Sequence, residues 1–171
     1  IRNDKSANSP EEFNITKPPD DVTTIALGHG DSIAATGSAN GIIRLWKLGH
    51  DIRHHTIIST LRIEDSKESR ITELAISNDE TYLAGGNSSG SVQIWKISSS
   101  EKPLSVAKFQ PDRGMISSIA EIGKGAFIIA QTTDFTLHFW KVGADGSMMN
   151  LGLVNLVNRR PYPLSISASG E

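Results

Sequence analysis

The sequence predicts an all-β chain, a partial β-propeller of three four-stranded antiparallel blades plus the start of a fourth, and three observations carry that expectation. Each of the three tryptophans is followed by lysine, at Trp46-Lys47, Trp95-Lys96 and Trp140-Lys141, 49 and then 45 residues apart. That period is close to the length of a four-stranded propeller blade. The text before the tryptophans repeats as well: Ser32-Ile33-Ala34-Ala35-Thr36-Gly37-Ser38-Ala39-Asn40-Gly41-Ile42-Ile43-Arg44-Leu45 before the first, Thr81-Tyr82-Leu83-Ala84-Gly85-Gly86-Asn87-Ser88-Ser89-Gly90-Ser91-Val92-Gln93-Ile94 before the second. No stretch shows helical periodicity, whereas turn residues recur at the spacing of short strands.

Residues 1–20 carry Pro10, Pro18 and Pro19 among charged residues and read as a linker or mobile arm, with Phe13-Asn14-Ile15-Thr16 as an alternative strand of a neighbouring blade. Blade one is expected over 21–65, blade two over 66–110 and blade three over 111–157. The first strands read as Val22 to Leu27, Ile71 to Ser77 and Ile116 to Ile122. Each central hairpin reads as strand, small-residue turn, strand, with Gly41 and Gly90 closing the turns because glycine reaches positive φ without a Cβ clash. The third copy is looser: Ala126 to Ala130, a turn at Thr132-Thr133-Asp134, then Phe135 to Lys141. Fourth strands are placed at Thr56 to Ile63, Pro103 to Phe109 and about Asn150 to Leu156, with Pro103 confined to a strand start or edge. Residues 158–171 read as a connection and the opening of a further blade, with Tyr162 to Ala168 as its strand and a turn after it. Three blades cannot close a ring, so the remaining blades are expected in a longer parent or a partner.

Composition narrows the function classes. The 171 residues hold 17 Lys+Arg against 19 Asp+Glu, a formal net charge of -2, which gives no bulk positive field for nucleic acid. Apolar runs are far shorter than the roughly 18 to 20 residues of a membrane helix. Cysteine is absent, which excludes disulfides, Cys-based zinc sites and a thiol nucleophile and fits an intracellular protein, cytoplasmic or nuclear. Ile1 stands where Met would and no signal-peptide pattern follows it, which suggests a segment of something longer.

Through the Ala34-Ala35-Thr36-Gly37-Ser38-x-Asn40-Gly41-x-Ile43-x-Leu45-Trp46 string above all, the chain resembles the WD-repeat β-propeller family over about residues 20 to 157. Two departures stand out. Lysine replaces the aspartate that follows the family's closing tryptophan, and Gly28-His29 lies in a turn between strands instead of opening the repeat. The tight-turn aspartate is Asn40, Ser89 and Asp134 in the three copies, so the family's buried His-Asp-Ser-Trp network is expected to be missing.

Motifs that carry chemistry elsewhere read as structure here. Gly86-Asn87-Ser88-Ser89-Gly90 matches a nucleophile elbow, but it joins two strands and aligns with Gly37 to Gly41, so it is a hairpin turn. His50, His54 and His55 have no accompanying ligand pattern and read as a solvent loop. His138 aligns with Arg44 and Gln93, two residues before each tryptophan, and this polar position reads as blade-rim surface. Gly123-Lys124-Gly125 lacks the spacing of a phosphate loop and reads as a turn, and the tryptophans read as packed between strands and blades. Arg159-Arg160 can grip phosphate, which leaves membrane contact through a phosphoinositide as a second reading.

No catalytic residue, cofactor or metal site is assigned. The resemblance implies an interaction scaffold in a larger intracellular assembly, whose partners are other protein subunits, including whatever supplies the remaining blades. Its candidate interaction turns carry His29, Asp31, Asn40, Asp79, Asn87, Lys124 and Asp134. Recruitment to a membrane through Arg159 and Arg160, or a catalytic domain outside this chain, stand as alternatives.

Overall fold

The structure, a computed structural model, describes residues 21–30, 32–49, 55–64, 69–97, 102–110, 114–122, 127–143 and 147–156, the side chains of 121 and 122 excepted. Twelve strands form three separate four-stranded meanders among the described residues, each antiparallel and in sequence order. Sheet one holds β1 (Val22–Leu27), β2 (Ile33–Ser38), β3 (Ile43–Leu48) and β4 (His55–Leu61). Sheet two holds β5 (Ile71–Ile76), β6 (Tyr82–Asn87), β7 (Val92–Lys96) and β8 (Leu104–Phe109), and sheet three β9 (Ile116–Ile122), β10 (Phe127–Thr132), β11 (Thr136–Val142) and β12 (Met148–Asn155). No helix of the described residues is long and apolar enough to cross a membrane.

The expected strands recur with small shifts. Pro103 falls just before β8, as its missing N–H requires. In the third copy the turn extends to Phe135, which takes φ +67° where the other copies place Gly41 (+79°) and Gly90 (+86°), and the second strand begins one residue later, at Thr136. The arm at 1–20, His50, His54, the turn at 123–125 and residues 158–171 lie outside the described residues.

The apolar core sits between sheets. One cluster joins Ile33, Ala35, Ile43, Leu45, Leu61 and Ile63 of the first repeat to Ile71, Leu74, Leu83, Trp95 and Ile97 of the second. The other joins Ala84, Val92 and Ile94 to Ile116, Ile119, Ile128, Ala130, Trp140 and Val142. The tryptophans report the same arrangement: Trp95 and Trp140 are buried, each covered by the preceding sheet, while Trp46, on the first sheet's uncovered side, is half-buried.

Two glycines set the distance between sheets. A Cβ on Gly37 would lie 2.4 Å from Ile71 Cγ2, and one on Gly86 would lie 2.5 Å from Ile116 Cγ2. β5 and β9 thus each press their first isoleucine onto a bare backbone in the sheet before them. Thr23 adds a hydrogen bond across the same seam, from its hydroxyl to the Ile71 carbonyl. At the opposite end of the strands the Glu80 carboxylate accepts the Gly30 N–H at 3.0 Å and the Ser32 hydroxyl, tying the β5–β6 turn to the β1–β2 turn.

Two sets of β-bulges recur in all three sheets. Inner-strand registers shift around Thr23, Thr72 and Ser117, and outer-strand registers shift at the tryptophans, around Ile58, Val106 and Leu151. A bulge adds twist and re-aims the residue it carries. Thr23 and Ser117 use this to donate their hydroxyls to the carbonyls of Gly37 (3.2 Å) and Gln131 (3.1 Å) in the adjacent strand.

Adding a methyl at this seam is expected to overpack it. Gly86→Ala should destabilise the protein by about 1–3 kcal/mol in denaturant unfolding. Combining it with Ile116→Val should cost less than the sum of the two single changes, and strict additivity would show that the contact does not exist.

Candidate interaction surface

Antiparallel meanders send successive turns to opposite ends. The β1–β2 and β5–β6 turns lie at one end, here the first-turn end. The β2–β3, β6–β7 and β10–β11 turns lie at the other, the second-turn end, together with the connections that lead into β5 and β9. The candidate turn residues therefore divide. His29 and Asp79 are exposed at the first-turn end, while Asn40, Asn87 and Asp134 sit at the second-turn end. Asp31, Lys124, Arg159 and Arg160 lie outside the described residues.

The turn side chains at the second-turn end are engaged in closing their own turns. Ser38 donates its hydroxyl to Asn40 Oδ1 at 2.7 Å, and the Ile42 N–H donates to the same oxygen at 3.2 Å. The second copy exchanges the two positions: Asn87 Oδ1 accepts the Ser89 N–H at 3.1 Å, the Ser89 hydroxyl at 2.8 Å and the Ser91 N–H at 2.9 Å. In the third, Thr132 donates to Asp134 and to the Thr136 carbonyl. The same device recurs in the β5–β6 turn, where Ser77 donates to Asp79 Oδ1 at 2.7 Å and the Thr81 N–H donates to it at 3.0 Å.

Asn87 corrects an expectation. Its side chain is fully buried, because its oxygen gathers three donors beneath the turn, so it offers nothing to a partner, and its Nδ2 has no hydrogen-bond partner among the described residues. The position of Arg44, Gln93 and His138 corrects a second. It is not rim surface in the second and third sheets, where Gln93 and His138 are buried between sheets. Gln93 accepts the Glu64 N–H at 2.7 Å and donates to Ser105 Oγ at 2.8 Å, and His138 stacks at 5.7 Å on Trp140 beside Phe109 of sheet two. A polar side chain enters such a seam when its hydrogen bonds are met inside it. The tryptophan network survives in part: Trp46 Nε1 donates to Thr36 Oγ1 at 2.9 Å, while Gly85 and Ala130 stand at the matching positions and the buried Trp140 Nε1 has no hydrogen-bond partner among the described residues.

Backbone contacts hold the second-turn end in a repeated geometry. The N–H groups of Ala39, Ser88 and Thr133 donate to the carbonyls of Asp21, Arg70 and Met115, each the residue just before an inner strand. Gly41 and Gly90 then bring each turn against the next repeat: a Cβ there would lie 3.0 Å from the Ser69 carbonyl oxygen and 2.4 Å from that of Gly114.

Residues 12–47 and 55–96 match the family described as WD domain, G-beta repeat. Those two segments are WD40 repeats. Solved structures with the same fold include the RRP9 WD40 repeats, as a crystal structure, and U3-55K. Each is 19 % identical in sequence with a TM-score of 0.68, over 85 % of this chain and 42 % of the other. The chain thus spans less than half the length of those neighbours, and at that identity the likeness shows the fold alone. No curated protein matches it. The third sheet lies outside the two matched WD40 segments, and it is also the sheet in which Gln131 and Phe135 replace the seam and turn glycines.

Electrostatics give two pH signatures. Burial holds the Glu73 carboxyl above its ordinary 4.5, so the native state resists its ionisation. Stability from this group is fully present below pH 4.5 and is lost as pH rises through the raised value. Glu73→Gln should therefore raise the melting temperature at neutral pH and match the wild type in acid. The Thr132 hydroxyl, opposed in part by burial and aided by Thr136, holds Asp134 below its ordinary 3.8. Its contribution is present above pH 3.8 and lost as pH falls through the lowered value, so the stability gap to Asp134→Ala should close in strong acid.

Proposed function

We propose that this chain is a segment of a non-catalytic interaction platform, a WD40 propeller that presents its turns to other protein subunits of an assembly in the cytoplasm or nucleus. WD40 propellers are generally scaffolds for protein interaction. The observation that carries the reading is the second-turn end, where three turns are closed by their own side chains and anchored through Ala39, Ser88 and Thr133 to the inner-strand entries. Turns fixed before binding lose little entropy on binding, which suits repeated docking of peptides or domains.

The exposed positions Ala39, Ser89 and Thr133 on these turns are free of the closing hydrogen bonds made by Asn40, Asn87 and Asp134, except that Ser89 donates to Asn87. Affinity purification of the full-length protein with mass spectrometry is expected to return a stoichiometric set of companion proteins. Ala39→Arg with Thr133→Arg should deplete at least one companion about fivefold or more, the loss of a contact worth about 1 kcal/mol. His29→Ala at the first-turn end serves as the control. A full-length protein that purifies alone, or companions unmoved by Ala39→Arg with Thr133→Arg, would contradict the platform.

A further inference from the structure

We propose that the seam between sheets two and three is the opening point of the molecule: sheets one and two are locked together, and sheet three parts from them as a unit. Hydrogen bonds tie the first seam, between sheets one and two, at both ends and between the outer strands. The second seam, between sheets two and three, does not reproduce them.

Three ties cross the first seam. At the second-turn end the Thr23 hydroxyl donates to the Ile71 carbonyl. At the first-turn end the Glu80 carboxylate of sheet two accepts the Gly30 N–H at 3.0 Å and the Ser32 hydroxyl, both of sheet one. Farther out, Gln93 of β7 accepts the Glu64 N–H at 2.7 Å from the segment that leaves β4.

Each of these positions changes at the second seam. Thr72 occupies the same bulge as Thr23, yet its hydroxyl oxygen is buried with no hydrogen-bond partner among the described residues. Gly125, which lies outside the described residues, stands as far before Trp140-Lys141 as Glu80 stands before Trp95-Lys96, and it has no side chain to reach a neighbour. His138 takes the place of Gln93 and meets sheet two through its ring, 5.4 Å from that of Phe109 between centroids. Apolar and ring contacts carry this seam: Ile116 rests on the bare backbone of Gly86, and Trp140 stands edge-on to Phe109 at 4.3 Å.

Glu73 adds a charge to the seam that lacks the ties. It lies opposite Gly86 in the ladder, and a Cβ on Gly86 would point at Ile116, so Glu73 is on the face of β5 turned toward sheet three. Thr24 holds the equivalent place in sheet one, opposite Gly37. The Glu73 carboxyl is half-buried, and no cation or hydrogen-bond donor among the described residues pairs with it. A carboxylate so placed favours the state in which water reaches it, and opening the seam admits that water.

Ala35 and Ala84 are equivalent residues of β2 and β6, the first buried at the first seam and the second at the second. Each accepts a cysteine with little added volume. In the full-length protein carrying Ala35→Cys or Ala84→Cys, reaction with a thiol reagent requires the seam to open, and peptide mass spectrometry reads each site by itself. Ala84→Cys should label about tenfold faster than Ala35→Cys, or more. Adding Glu80→Ala or Thr23→Val should speed labelling at Ala35→Cys about threefold or more and leave Ala84→Cys within about twofold. Thr72→Val removes a hydroxyl that ties nothing and should not speed labelling at Ala84→Cys. Equal rates at the two sites, or faster labelling at Ala35→Cys, would overturn the proposal. Hydrogen–deuterium exchange of the unmodified protein asks the same question without a cysteine. Amides of β10 and β11 should lose protection ahead of those of β2 and β3, and the reverse order would overturn it.

Discussion

Everything in this molecule depends on the fact that no sheet has a core of its own. A four-stranded meander has two faces, and the two buried clusters lie between neighbouring sheets instead of within one. The seam is set by Ile71 against Gly37 and Ile116 against Gly86, an approach that leaves no room for a Cβ at either glycine. This constraint accounts for the different fates of chemically identical tryptophans. It also accounts for Val22, Ile25 and Leu27 of β1 and for Leu151, Leu153 and Val154 of β12 being exposed on the outer sheets.

The same economy governs the turns. Short polar side chains close each turn from within, and exchanging the order from Ser38-x-Asn40 to Asn87-x-Ser89 preserves the closure. Residues that look like natural partner contacts are therefore already committed. The outer turn positions Ala39 and Thr133 stay exposed.

Much of the architecture was legible because a repeat states the same physics three times. Trp46, Trp95 and Trp140 gave the period, and the alternation around them gave strands close to those observed. What escaped is local and non-sequential. The bulges at Thr23, Thr72 and Ser117 each insert one residue into an otherwise ordinary alternation, which leaves no mark on the pattern. Gln93 and His138 looked like surface because polar residues are usually outside; their burial follows from partners such as Glu64 and Phe109, which no local window contains. Asn87 misled for a related reason, since a turn asparagine is exposed or buried according to which turn position it occupies. Gly37 and Gly86 were visible as a repeated glycine, but the isoleucine each receives lies about 30 residues further on.

If the seam and not the sheet is the unit of stability, injury to one side must be felt on the other. Hydrogen–deuterium exchange on the full-length protein carrying Gly37→Val, followed by mass spectrometry, tests this directly, because the new side chain would meet Ile71. The account predicts that amides of β5 and β6 lose protection together with those of β1 and β2. Exchange that rises in β2 alone, with β5 still protected, would show that each sheet stands by itself and would contradict it.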